Sequence, residues 1–169
     1  MKKQFAYHCT NINPNLILKH GFKSGKGGYT LKNGVDYLDK EFLPKNPMYL
    51  SDLHAKVWDK NAKYCLKIDI TNLDLYPDFG HLMDYNPSHD EEGLFWGDQS
   101  IEDLRFLAKK DKYAKNLLIY LENETEDYNI IARFYTGELS RKILGTFVID
   151  GNLLTKDRII DIELHNHLR

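Results

Sequence analysis

From Tyr64 to Ile70 the chain alternates, with Tyr64, Leu66, Ile68 and Ile70 set against Cys65, Lys67 and Asp69. Successive side chains on a strand point to opposite faces, so a period of two over this length specifies a half-buried strand. Such a strand needs a second layer to cover its apolar face. Helices are available for that layer. Asn13-Pro14 reads as a helix start: asparagine accepts a hydrogen bond from an unpaired amide, and proline at the first helical position loses none. Leu16, Ile17 and Leu18 give the helix apolar bulk, and Gly21 ends it with Phe22 set to pack back on it.

Residues 4–9 and Met48-Tyr49-Leu50-Ser51 read as further strands. Ser51 or Asp52 is placed to cap a helix in which Leu53, Val57 and Trp58 share a face. Ser100-x-x-Asp103 has the form of a capping box and opens a helix to about Lys112, while residues 117–121 fit helix and strand equally. Three strands are expected at about 128–135, 143–149 and 158–164, with Gly137, Gly151 and Asn152 at the turns. Residues 23–46 read as a surface loop, and residues 72–99 as irregular. This order of elements predicts an α+β fold.

The length of 169 residues fits one domain, residues 1–169, with a sizeable core. A formal charge of −2 creates no overall field that would favour nucleic acid or a membrane surface. The chain has no run of about 18 apolar residues, so no membrane span is expected. No apolar segment follows Met-Lys-Lys-Gln-Phe, so no secretory signal is expected either. Cys9 and Cys65 form no CxxC motif, and the simplest setting is a reducing cytoplasm.

Other motifs are weak. His81, Asp84, His89, Asp90, Glu91 and Glu92 cluster in a loop, and His165-x-His167 closes the chain, but no HExxH or CxxC framework accompanies them. No metal is therefore expected. Lys23, Lys26, Lys32 and Lys40, interleaved with Tyr29 and Tyr37, read as a solvated loop, although such a loop could grip a polynucleotide backbone. No GxGxxG fingerprint is present, and GKGG is too short to be a phosphate-binding P-loop.

The polar end of the first strand stands out, because His8 and Thr10 share one face while Cys9 takes the other. "YHCT", a helix ending "ILKHGF", "PMYLS" and then "YCLKIDI" together resemble the ADP-ribosyltransferase superfamily. The likeness is to the branch with a His-Tyr-acid signature, which includes diphtheria-toxin-like enzymes and poly-ADP-ribose polymerases, and it covers roughly residues 5–70. It implies a split, mostly antiparallel sheet flanked by helices. It also implies an enzyme that cleaves the nicotinamide–ribose bond of NAD, as substrate, and passes ADP-ribose to a protein or nucleic-acid acceptor. By the same resemblance, His8 would bind the adenosine ribose and Thr10 would support its strand. The Cys9 backbone would hold the nicotinamide amide, Tyr49 would stack on the nicotinamide ring, and Ser51 would line that pocket. Small enzymes of this type are often toxins, phage effectors or defence factors.

The third member of the signature is an acid at the start of a late strand, which stabilises positive charge as nicotinamide leaves. In "DYNIIARFYTGELSRKIL" the turn "GELSRKIL" resembles the one that follows the catalytic strand, yet Ile130 to Arg133 contain no acid. Glu138 in the turn and Glu126 before the strand are the candidate replacements. Arg133 could instead clamp a phosphate bidentately. Two further readings follow from this departure: a non-catalytic nucleotide-binding relative, and an RNA 2′-phosphotransferase or NAD glycohydrolase relative.

Overall fold

The computed structural model describes residues 2–23, 40–52, 62–79, 95–123, 125 and 127–164. Its strands are β1 (Phe5–Thr10), β2 (Pro47–Ser51), β3 (Tyr64–Asp69), β4 (Thr146–Asp150) and β5 (Ile159–Leu164). They form one five-stranded sheet in the order β4-β2-β1-β3-β5, with every neighbouring pair antiparallel. The helices are α1 (Pro14–His20), α2 (Phe95–Ala108), α3 (Lys112–Glu122), α4 (Tyr128–Phe134) and α5 (Gly137–Leu144). The expected α+β class is observed, with an antiparallel sheet and accompanying helices.

The pairing is uneven. β1 matches β3 along its whole length, from Phe5↔Asp69 to Thr10↔Tyr64, and β2 matches β4 from Pro47↔Asp150 to Ser51↔Thr146. Between β1 and β2 a single residue pair, Tyr7↔Ser51, is in register. The sheet is therefore a two-stranded and a three-stranded block joined at one point.

Alternation sends Ala6, Met48, Leu50, Leu66, Ile68, Phe147 and Ile149 to one face, where they bury together with Ile17 of α1. Fully burying such a side chain stabilises the fold by about 1.5–3 kcal/mol. The local signals for α1 hold. The Asn13 side chain accepts from the Asn15 amide, Pro14 opens the helix, and the Gly21 amide donates to the Ile17 carbonyl at φ +79°.

The region after residue 95 corrects the sequence reading. Helix α2 starts at Phe95, upstream of the proposed Ser100 cap, and ends at Ala108; Asp111 then caps α3, accepting from the amides of Tyr113 and Ala114. Residues 117–121 are helical. The strand expected at 128–135 is helix α4, and residues 143–144 of the next expected strand end helix α5. Strands were expected there, but capping and packing decide otherwise. The Asp127 side chain accepts from the Asn129 amide, and the Thr136 hydroxyl from the Leu139 amide. Ile131, Ala132, Leu139 and Ile143 then pack with Leu104 and Leu117 in a helical core. Tertiary packing overrides weak β propensity in this way because the propensity reflects packing context more than an intrinsic backbone preference. The helix expected after Ser51 and the loop lysines from Lys26 to Lys32 lie outside the described residues.

A buried polar joint fastens the helical core to the sheet. The Ser140 hydroxyl accepts from the Asp78 amide at 2.9 Å and from the Tyr135 hydroxyl at 3.0 Å, and it donates to the Thr146 carbonyl at 2.7 Å. Burial pushes the Tyr135 phenol well above its ordinary pKa, so it remains a donor at any physiological pH. Beside this joint, Tyr76 and Val148 exchange two backbone hydrogen bonds at the β4 edge. Gly137 lies so close to the Leu75–Tyr76 backbone that a methyl group there would collide with main-chain atoms. Gly137→Ala should therefore destabilise the protein by about 1–3 kcal/mol, the usual range for overpacking. Urea denaturation of the variant beside the wild type measures this directly, and an unchanged midpoint would contradict the close approach.

Candidate functional site

The point where β1 and β2 separate is the best-defined polar feature in the described structure. Beyond Tyr7↔Ser51 the backbone ladder stops, and the His8 side chain takes its place, with Nδ1 at 2.7 Å from the Tyr49 carbonyl oxygen. A carbonyl can only accept, so Nδ1 carries the proton and the neutral ring presents Nε2 as an acceptor. No protein group among the described residues hydrogen-bonds Nε2. The Phe22 ring meets the imidazole edge-on, with centroids 5.3 Å apart. Burial lowers the His8 pKa below its ordinary value of 6.5, against the opposing pull of the Tyr49 carbonyl. The imidazole is thus kept neutral near physiological pH.

Phe22 also forms a wall of an open cleft of about 490 Å³, lined in addition by His20, Lys23, Lys45, Asn46 and Gly151. Asn46 builds this cleft. Its side-chain amide donates to the Phe22 carbonyl at 2.6 Å and to the Asn152 side-chain oxygen at 3.1 Å, while its own carbonyl accepts from the Gly151 amide at 2.7 Å. Gly151 has no side chain to keep Phe22 out, since a Cβ there would strike the Phe22 ring. Among the described residues the lining includes two lysines and no carboxylate.

The closed end of the β1–β2 junction is clamped by Arg141. Its guanidinium binds the Asp52 carboxylate bidentately at 2.9–3.0 Å, reaches the Gln4 side-chain oxygen at 2.9 Å and lies 5.2 Å above the Phe147 ring. A forked arrangement of this kind fixes direction as well as distance.

The residues expected to form one pocket fall into two sets. By register, Tyr49 and Ser51 share the face of Tyr7 and Cys9, whereas His8 and Thr10 share the opposite face with Leu50 and Met48. The structure brings His8 to the main chain of Tyr49, not to its ring. The Thr10 hydroxyl accepts from the Ile12 amide at 3.0 Å and so closes the turn after β1. Ser51 is buried opposite Thr146, whose hydroxyl is itself buried and has no hydrogen-bond partner among the described residues. Cys9 sits directly across from Cys65.

The strand expected at 128–135 is not formed, because residues 128–134 and 137–144 are helices. Arg133 is exposed in the last turn of α4, and Glu138 is exposed in the first turn of α5, where a carboxylate suits the helix dipole. Neither makes an ion pair or hydrogen bond among the described residues. Glu126 and the histidine–acid cluster from His81 to Glu92 lie outside the described residues. No group of three or more His, Cys, Asp or Glu side chains among the described residues could hold a metal ion. No helix among them is long and apolar enough to cross a membrane. Sequence reasoning missed Asn46 and Lys45 as site residues, and saw Gly151 and Asn152 only as turn residues. The Asn46-Pro47 dipeptide signals a turn, but nothing local reveals its partner.

Comparison of the chain with protein families, with curated proteins and with solved structures finds no match.

The half-buried His8 ring has a consequence for stability. Its folded pKa lies below 6.5, so as pH falls through 6.5 the unfolded chain takes up a proton before the folded one. The stability contributed by neutral His8 is complete above pH 6.5 and is lost as pH falls from there through the folded pKa. Urea titrations from pH 7.5 to 5 should show a loss in the wild type that is shallower in His8→Gln. Identical pH profiles would show that His8 titrates freely.

Proposed function

We propose that the protein binds NAD at the mouth of the β1–β2 junction and transfers its ADP-ribose to a macromolecular acceptor. The observation that carries this reading is His8, a neutral imidazole with Nδ1 committed to the Tyr49 carbonyl and Nε2 an acceptor with no hydrogen-bond partner among the described residues. Such a nitrogen suits a ribose hydroxyl, which donates. The adjoining lysine-lined cleft suits a pyrophosphate, and its volume lies in the range of small-molecule sites. The choice of NAD over other phosphate-bearing nucleotides rests on the resemblance carried by the "YHCT" and "PMYLS" motifs, with Tyr49 on the sheet face opposite His8.

A second reading, nucleotide binding without transfer, is favoured by one observation: residues 128–144 present no strand-borne carboxylate to the site. Under the transfer reading Glu126 or Glu138 supplies the acid. The two readings differ in products, not in binding.

NAD at a hundred times its dissociation constant should stabilise the folded chain by about 2.7 kcal/mol, seen as a raised melting temperature. His8→Ala should weaken NAD binding roughly three- to tenfold, the value of one neutral hydrogen bond. Loss of the Lys23 and Lys45 charges should weaken it further at low salt than at high salt. No stabilisation by millimolar NAD would end the proposal. With binding established, labelled NAD separates transfer, which labels an acceptor and releases nicotinamide, from hydrolysis and from binding alone. Glu126→Gln or Glu138→Gln should lower turnover about 100-fold or more with NAD affinity nearly unchanged, since such a contact strengthens only in the transition state.

A further inference from the structure

Cys9 and Cys65 occupy directly opposed positions on the antiparallel strands β1 and β3. Their Sγ atoms lie 3.0 Å apart, and both are thiols. A disulfide needs Cα atoms about 4.4–6.8 Å apart, which includes the roughly 4.5–5.5 Å spacing of opposed residues on neighbouring antiparallel strands. Closing to the bond length of about 2.05 Å requires the sulfurs to approach by only about 1 Å. The two residues differ in access, since Cys9 is half-buried and Cys65 is buried. The chain contains no other cysteine.

We propose that Cys9 and Cys65 are a dithiol–disulfide site, oxidised by exchange with a low-molecular-weight disulfide such as glutathione disulfide. The Cys9 thiolate attacks one sulfur of that disulfide, expelling a glutathione thiolate and leaving a mixed disulfide on Cys9. The Cys65 thiolate then attacks the Cys9 sulfur, the Cys9–Cys65 bond forms, and the second glutathione leaves as its thiolate. Two protein thiols become one disulfide, one glutathione disulfide becomes two glutathione thiols, and the two protons pass to the thiolates released. Cys9 reacts first because it is the accessible partner, and Cys65 resolves the adduct because the fold holds its sulfur in contact. The bond would staple β1 to β3. The two cysteine side chains lie on the sheet face opposite His8, so the exchange uses none of the side chains in the nucleotide reading.

The full chain, reduced and desalted, is equilibrated with mixtures of reduced and oxidised glutathione, acid-quenched, and weighed intact by mass spectrometry. The main oxidised product should be a monomer lighter by two hydrogen masses, with the Cys9 and Cys65 peptides joined after digestion and separated again by dithiothreitol. The equilibrium constant against glutathione should be at least tenfold larger in native buffer than in denaturing urea, because the fold holds the sulfurs together. Cys65→Ser should stop at one glutathione on Cys9; if that variant does not fold, the wild-type masses still decide. A wild-type chain that stops at a glutathione adduct, links to a second chain, stays reduced, or shows equal constants with and without urea overturns the proposal.

Discussion

A single residue pair, Tyr7↔Ser51, joins the two blocks of the sheet, and what surrounds it determines how the molecule is arranged. On one side of the pair Arg141 grips Asp52 and Gln4, and so ties α5 to the end of β2 and the start of β1. On the other side the ladder gives way to one side-chain bond, from His8 to the Tyr49 carbonyl. Antiparallel strands in full register leave no room for a side chain between them. The Arg141 clamp holds the two blocks together on the side of the Tyr7↔Ser51 pair away from that parting.

The cleft depends on the same separation. Phe22 leaves α1 after Gly21 and packs against both His8 and the Gly151 turn. Asn46 binds the Phe22 carbonyl from one side and the Gly151 amide from the other. The cations at its rim remain exposed, as lysines do when only their aliphatic stems find apolar surface. A neutral, half-buried imidazole thus lies beside exposed cations.

The helical segment after Asp127 stands where the sequence led us to expect a strand, and a buried network holds it there. Tyr135, Ser140, Asp78 and Thr146 share a buried network in which the Ser140 hydroxyl accepts twice and donates once. Leaving any of those groups unpaired would cost about 1–3 kcal/mol each, far more than the strand preference of two isoleucines. The network and the close approach of Gly137 to Leu75 hold α5 against the sheet edge, and Arg133 and Glu138 are left facing outward.

Features governed by near neighbours were legible in the sequence. The Asn13-Pro14 start and Gly21 stop of α1, the alternation of β3, and the strand at the end of the described chain all depend on contacts within a few residues. So does the sharing of one face by His8 and Thr10. What lay beyond reach were the outcomes that join distant residues. Tyr49 belongs to the face opposite His8 because β2 meets β1 through Tyr7↔Ser51, and a shift of one residue would have reversed it. Asn46 meets Gly151 because Pro47 pairs with Asp150 on β4, and Cys9 meets Cys65 because β1 and β3 run in full register. The sequence by itself determined which segments could be helix or strand and which side chains share a strand face. Only the tertiary structure decided the register, the parting of β1 from β2, and the helical state of residues 128–134 and 137–144, because packing and buried hydrogen bonds between distant residues outweigh the small local preferences that a sequence displays.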